Sequence, residues 1–293
     1  MYAQSALRWI PLAFALPLFA ACAKSEREAG EQTPANTEPA TPAPTGTFDP
    51  NKPAPAEGPA EIAEIFGHSA DTLYKLDPLT KAVTEVGTFS GCASIIDIAL
   101  DGNSNLYATS YSSLYRVDRT TGHCTEIATG DYPNSLSFVP KGTVDATDEA
   151  LVGYDDADYW RIDVTTGQKT KIGTLGVNGL KSSGDIVSVK GGKTYLTVKG
   201  TSQCNAHDCL VEIDPTTGKV TKNWGSVEHS NVFGLSFWGG KVYGFDDAGE
   251  LFEVTFGTSQ LATTPIAIPS KPANLSFWGA GSTTSAPLVA KPQ

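Results

Sequence analysis

Hydrophobic and polar residues alternate in a pattern that recurs five times along the chain. The copies begin at Leu73, Leu114, Tyr159, Leu210 and Leu251. The fourth copy reads "LVEIDPTTGKVTKNWG", and alternation with a period of two is typical of a half-buried β-strand. Within it Asp214 and Pro215 favour a turn, and Gly218 supplies the left-handed backbone that closes the turn. Each copy therefore predicts two antiparallel strands joined by a tight turn.

The spacing of these hairpins predicts the fold. Successive copies start 41, 45, 51 and 41 residues apart, which is the spacing of four-stranded propeller blades. Another pair of strands precedes each later hairpin, such as "FGLSFWGGKVYGF" before the fifth, and no helical periodicity appears in this part of the chain. We therefore predict an all-β fold, a five-bladed β-propeller with four antiparallel strands, A to D from the channel outwards, in each blade.

The two ends of the repeat array predict how the ring closes. One strand, "EIAEIFG", precedes the first hairpin, and the last inner-type strand, "ANLSFWGAG", has no hairpin after it. Pairing residues 273–278 with residues 61–67 would complete the first blade and leave no open inner edge. We therefore expect a propeller at 61–281, closed by its C-terminal strand in the first blade, and a flexible tail at 282–293.

The first 60 residues predict export and membrane anchoring. An apolar run, "WIPLAFALPLF", follows Arg8 and is too short to span a bilayer as a helix. The next residues, "FAAC", resemble the lipobox of bacterial lipoproteins, which implies a signal peptide at 1–21 and acylation of Cys22, with palmitate as a typical lipid. Ordinary secretory cleavage after Ala23 is the alternative. Residues 22–60 are rich in Pro, Ala, Thr and Glu, which predicts a disordered tether.

The repeated hairpin resembles a known group of propellers. Its pattern, h-x-h-D-x-x-T-G, is similar to the YVTN-type and quinoprotein-like repeats of secreted bacterial proteins. Together with the lipobox, this resemblance implies a lipoprotein of the bacterial cell envelope, with the propeller in the periplasm or at the cell surface. The absence of Asp after Cys22 favours the outer membrane. The resemblance does not specify a ligand, because propellers host binding, scaffolding and catalysis.

Charge and cysteine content narrow the function classes. The chain has 21 Lys and Arg against 32 Asp and Glu without a basic cluster, so nucleic acid is not an expected partner. Apart from Cys22, four cysteines remain, which fits two disulfides in an exported protein. The short separation of Cys204 and Cys209 favours a bridge across a loop. Cys92 would then pair with Cys124, although the predicted strands place these two residues on opposite faces.

Polar residues collect at the channel mouth that the B–C and D–A connections surround. The candidate ligand-binding residues there are Asp97, Asn134, Asp155, Asp156, Asp158, Asp185, Asn231, Asp246, Asp247 and Asn274. Calcium takes six to eight oxygen ligands, and several of these loops could supply them. The alternative is that the Asp residues only cap turns and stay hydrated. We expect no other cofactor.

Two functions are compatible with this sequence. The first is a monomeric, membrane-anchored binding or scaffold module whose mouth binds a protein, a glycan or a small molecule. The alternative is a metal-dependent hydrolase. Lactonase-like propellers hold a metal with side chains from several blades, and Asp97, Asp185 and Asn274 are the nearest equivalents by position. A glycosidase would need two or three inner-strand carboxylates. Because the His residues form no motif and no inner-strand Glu is evident, we favour binding over catalysis.

Overall fold

Five four-stranded antiparallel sheets form a ring within residues 63–290, the part of the chain that this computed structural model describes. The predicted signal peptide, the acylated Cys22 and the tether lie outside the described residues, so they stay predictions. Within residues 63–290, no helix has the length and apolar character needed to cross a membrane. The predicted all-β, five-bladed propeller is confirmed.

The blades follow the chain in order. Blade 1 contains β1 (Ile65–His68), β2 (Thr72–Leu76), β3 (Val83–Thr88) and, as its innermost strand, β20 (Gly279–Ser282). Blade 2 contains β4 (Asp97–Leu100), β5 (Leu106–Thr109), β6 (Ser113–Val117) and β7 (Cys124–Thr129). Blade 3 contains β8 (Leu136–Val139), β9 (Ala150–Asp155), β10 (Asp158–Ile162) and β11 (Lys169–Thr174). Blade 4 contains β12 (Lys181–Ser188), β13 (Thr194–Lys199), β14 (Cys209–Ile213) and β15 (Val220–Ser226), with a 3₁₀ turn at Ser202–Cys204. Blade 5 contains β16 (Val232–Trp238), β17 (Lys241–Asp246), β18 (Leu251–Phe256) and β19 (Leu261–Ile266).

The repeated hairpins are the two outer strands of each blade, and their turns form for the predicted reasons. In blade 3 the Asp163 carboxylate accepts the N–H group of Thr165 at 2.8 Å, and Gly167 has a φ of 72°. In the first copy Lys81 occupies the glycine position with a φ of 63°. Its Nζ donates to the Tyr243 hydroxyl at 3.0 Å, so this residue also connects blade 1 to blade 5.

The hydrophobic core is divided among the five interfaces between neighbouring blades. Phe66 and Leu73 of blade 1, for example, pack against Ile98 and Tyr115 of blade 2. Each of the other four interfaces has its own cluster. Because both faces of a sheet are covered, consecutive residues of an inner strand are buried, as in all of β4 and β8. The ring therefore depends on contacts between blades as much as on pairing within them.

The ring closes in blade 1 as predicted, but the closing strand lies further along the chain than expected. β20 pairs with β1 so that Ile65 is opposite Ser282 and His68 is opposite Gly279. The predicted strand at 273–278 is therefore wrong in register.

Space beside the channel explains the shift in register. Leu275 and Phe277 fill the interface between blades 5 and 1 instead of forming an inner strand. The strand that replaces them is Gly-Ala-Gly-Ser. A Cβ on Gly279 would lie 2.4 Å from the Nε2 atom of His68, so only glycine fits at that position.

The segment after β20 crosses the second mouth of the channel, where the A–B connections lie. We call residues 283–287 the C-terminal strap. Thr283, Thr284 and Ala286 are buried, so the predicted flexible tail is wrong for this segment. The strap forms hydrogen bonds with all five blades. It donates to blades 1, 2 and 3 through Thr283 N–H to Glu64 O (3.1 Å), Ser285 Oγ to Gly102 O (3.2 Å) and Thr284 Oγ1 to Glu149 Oε1 (2.5 Å). It accepts from blades 4 and 5 through Lys190 N–H to Thr284 O (2.8 Å) and Gly239 N–H to Pro287 O (2.8 Å).

Both predicted disulfides are present. Cys204 and Cys209, with Cα atoms 5.3 Å apart, close the loop between β13 and β14. Cys92 and Cys124 have Cα atoms 5.6 Å apart. They meet because the connection after β3 runs along the outer strand of blade 2, where the N–H group of Cys124 donates to the Ser90 carbonyl at 2.7 Å. The second disulfide therefore ties two neighbouring blades together at their outer edge.

Candidate functional site at the channel mouth

The B–C and D–A connections surround one end of the channel, which we call the upper mouth. The B–C loops are 69–71, 110–112, 156–157, 200–208 and 247–250, and the D–A loops are 89–96, 130–135, 175–180, 227–231 and 267–278. Nine of the ten predicted ligand-binding residues lie in these loops or at the ends of the adjoining strands, and Asp185 lies within β12. Asp97, Asp185 and Asp246 are buried. The others are exposed or half-buried: Asn134, Asp155, Asp156, Asp158, Asn231, Asp247 and Asn274.

Asp97 and Asp185 occupy matching positions on inner strands of blades 2 and 4, and each joins its blade to the next. The Asp97 carboxyl oxygens accept the N–H groups of Ile98 at 2.8 Å and Leu136 at 2.6 Å. Leu136 belongs to β8, so Asp97 connects blade 2 to blade 3.

Asp185 repeats this arrangement. Its oxygens accept the N–H groups of Ile186 at 2.6 Å and Leu235 at 2.5 Å, so it connects blade 4 to blade 5. Together the two Asp residues therefore bind one backbone amide from the inner strand of each of blades 2 to 5. We call this pair the carboxyl hub.

The two hub carboxyl groups lie close enough to influence each other's acidity. Burial raises the pKa of both groups well above the ordinary value, and the charge of Asp185 raises the pKa of Asp97 further. Burial and the proximity of two like charges both disfavour the state in which the two carboxyl groups are ionised together. Both residues are 0% exposed. A catalytic acid or base has to reach its substrate, so the geometry of the hub suits a structural role.

His68 is a site residue that sequence reasoning missed, because only the ring places it beside the hub. It is fully buried, and its Nδ1 atom donates to the Ser69 carbonyl at 2.8 Å. Burial lowers the pKa of the imidazole to about 4, so the ring is neutral at physiological pH. Its Nε2 atom has no hydrogen-bond partner among the described residues. His68 Nε2 and Asp97 Oδ1 each lie 2.4 Å from the point where a Cβ of residue 279 would stand. Both atoms therefore border the space that Gly279 leaves open.

The exposed acidic residues of the upper mouth pair with separate partners. Asp156 forms an ion pair with Lys181 at 2.9 Å, and Asp158 forms one with Lys171 at 2.7 Å. Asp247 accepts a hydrogen bond from Asn231 Nδ2 at 3.0 Å. Asn274 is exposed, whereas Asp97 and Asp185 are buried, so the three residues considered for a lactonase-like metal do not share one environment.

A different group of residues converges at the rim of the upper mouth. His229 lies in the D–A loop before blade 5, Asp246 ends β17, and Glu250 precedes β18. One ligand atom from each lies within 4.8 Å of the others, and within residues 63–290 this is the one set of three His, Cys, Asp or Glu side chains that meets this distance. We call it the rim cluster. Sequence reasoning included Asp246 but missed His229 and Glu250, because neither forms a recognised motif.

Two aromatic side chains project from the upper mouth. Tyr111, in the B–C loop of blade 2, is 69% exposed, and Trp278, just before β20 in blade 1, is 43% exposed. Val177, in the D–A connection after blade 3, is 42% exposed. These three exposed side chains give the upper mouth an apolar component among its acidic loops.

Comparisons with known proteins show likeness of fold alone. No protein-family model matches the chain, and no curated protein matches it. A structure of the nidogen/laminin complex is 13% identical over 78% of this chain and 100% of the other, with a TM-score of 0.46. Hydrazine synthase of Kuenenia stuttgartiensis is 15% identical over 67% of this chain and 60% of that one, with a TM-score of 0.41. An auxiliary nutrient binding protein from Bacteroides thetaiotaomicron is 15% identical over 73% and 56%, with a TM-score of 0.41.

Proposed function

We propose that this chain is a lipid-anchored β-propeller of the bacterial cell envelope that binds a protein or glycan partner through its upper mouth. The observation that carries this proposal is the exposure of Tyr111 and Trp278 on neighbouring blades of that face. Aromatic side chains are enriched where proteins bind partners, because each ring supplies a large apolar surface and a polar atom. The acidic loops around them favour a partner with basic or hydroxyl-rich groups.

Two further features support the location. The lipobox-like "FAAC" ends at Cys22. The two disulfides fit an oxidising compartment outside the cytoplasm. A tether between lipid and propeller would hold the upper mouth away from the membrane surface.

The carboxyl hub supports binding over hydrolysis. Each of its four oxygens accepts a backbone N–H group. Both buried carboxyl groups are therefore occupied in holding the inner strands together, and the exposed loops are left to bind a partner.

Site-specific photo-crosslinking in a bacterial host tests the binding surface. A photoreactive residue at position 111 or 278 is expected to form a discrete adduct, because both positions face the proposed partner. Leu79, which is 61% exposed in the C–D turn of blade 1, is the matched control on the other side of the ring. Equal labelling from all three positions, or none from 111 and 278, would contradict the proposal. A glycan array with the wild type and Tyr111→Ala distinguishes a glycan from a protein partner.

Fractionation tests the anchor separately. The wild type is expected with the membranes, and Cys22→Ala is expected to lose this association because no lipid can be attached. If the variant fractionates like the wild type, the anchoring part of the proposal is wrong, and the binding surface is unaffected.

A further inference from the structure

The rim cluster brings an imidazole nitrogen and two carboxylate groups together. His229 Nδ1 lies 2.9 Å from Asp246 Oδ2 and 3.6 Å from Glu250 Oε2. One nitrogen atom therefore faces two carboxylates at once. The three residues come from two separate connections, 227–231 and 246–250, that meet at the rim.

Two of the three side chains are held in orientation by their surroundings. Asp246 is buried, and its Oδ1 atom accepts the N–H groups of Ala248 at 3.1 Å and Glu250 at 2.9 Å, which leaves Oδ2 directed at His229. The His229 ring stacks on Phe252 with centroids 4.0 Å apart and planes 12° from parallel. Glu250 is 60% exposed and opens the cluster to solvent. Ligands fixed in this way bind a metal without first being ordered.

The donor set indicates the class of ion. An imidazole nitrogen with two carboxylates suits zinc and similar transition metals, whereas calcium and magnesium prefer oxygen ligands alone. The separations between the His229 nitrogen and the two carboxylate oxygens fit ligands that surround one small ion at about 2.0–2.2 Å. Three protein ligands leave a fourth position on the solvent side, as in open zinc sites.

We propose that His229 Nδ1, Asp246 Oδ2 and Glu250 Oε2 bind one divalent transition-metal ion of the zinc type at the rim of the upper mouth. The ion takes the place of the Nδ1 proton that Asp246 otherwise accepts. Its open position holds water or a donor atom of a bound molecule. The site also links the D–A connection before blade 5 to the B–C turn of the same blade. This inference does not depend on the proposed partner or on the lipid anchor.

Metal titration of the propeller after treatment with a chelator tests the site. Zinc at about one hundred times its Kd is expected to raise Tm by roughly 5–10 °C, because an ion that binds the folded state stabilises it by mass action. Calcium and magnesium at the same concentration are expected to shift Tm much less. Isothermal titration should give one zinc per chain.

Matched variants locate the ion. His229→Gln and Glu250→Gln are expected to weaken zinc binding at least tenfold, about the smallest loss that follows changes around a metal. His207→Gln and Asp247→Asn are the controls, because both residues are exposed near the rim but lie outside the cluster. His229→Gln also removes the ring that stacks on Phe252, so this variant could lose stability for a reason unrelated to zinc. Glu250→Gln keeps that ring and therefore tests zinc binding alone. A wild type that zinc does not stabilise, a shift unchanged in both cluster variants, or a shift lost in a control variant would each overturn the proposal.

Discussion

The carboxyl hub makes a quantitative prediction about what holds the inner strands together. Asp185 accepts two backbone N–H groups, from Ile186 in its own blade and Leu235 in the next. Asp185→Ala leaves both amides without an acceptor in a buried position. Each buried donor that loses its acceptor costs about 1–3 kcal/mol, so the expected loss is about 2–6 kcal/mol. This is a large part of the stability of a typical domain, about 5–15 kcal/mol.

Asp97→Asn is the milder perturbation of the same hub. The amide oxygen of Asn can accept one of the two N–H groups that Asp97 binds, and its NH₂ group can donate to the neighbouring Asp185. One buried N–H group then loses its acceptor, so the expected loss is about 1–3 kcal/mol. Asp247→Asn, an exposed replacement of the same chemistry, is expected to change stability by less than about 0.5 kcal/mol.

Urea unfolding followed by circular dichroism measures these differences through the midpoint and the slope m. The expected order of stability is wild type and Asp247→Asn together, then Asp97→Asn, then Asp185→Ala. If Asp185→Ala unfolds at the same midpoint as Asp247→Asn, the hub does not hold the inner strands together. If Asp97→Asn proves more damaging than Asp185→Ala, the count of orphaned amides is the wrong measure.

Two further predictions concern the strap and the disulfides. Thr284→Val removes the hydroxyl that donates to the half-buried Glu149, so a loss of about 1–2 kcal/mol and a fall in Tm of about 2–8 °C are expected. Thr147→Val, which removes a similar bond on the exposed A–B loop, should leave Tm almost unchanged, and equal melting of the two variants would show that the strap contributes little. The Cys92–Cys124 bridge closes 32 residues and the Cys204–Cys209 bridge closes 5. Replacing both cysteines by Ser should therefore cost roughly 3–4 kcal/mol for the first pair and roughly 2 kcal/mol for the second. Urea midpoints in the reverse order would refute the loop-entropy reasoning.

The outer half of every blade could be predicted from the sequence, because its determinants are local. Alternation of apolar residues specifies the strands, and Asp with Gly specifies the turn. Asp163 and Gly167 illustrate this, since the carboxylate hydrogen bond to Thr165 and the positive φ of Gly167 both arise within one turn. The number of blades followed from counting hairpins and unmatched strands. The disulfide between Cys204 and Cys209 could also be predicted, because its cysteines are only five positions apart in the sequence.

The parts that the sequence did not reveal depend on residues far apart in the chain. Ser282 lies opposite Ile65 because only small residues fit between β1 and the channel. The strap is ordered because blades distant in sequence offer it hydrogen-bond partners at one mouth.

The candidate site shows the same division. The sequence by itself determined which Asp residues stand near the upper mouth. Only the tertiary structure decided that Asp97 and Asp185 meet in a buried pair, while Asp246 joins His229 and Glu250 at the rim. The physical reason is that burial and pairing depend on how five separate sheets converge on one axis. No periodicity within a single blade encodes that convergence.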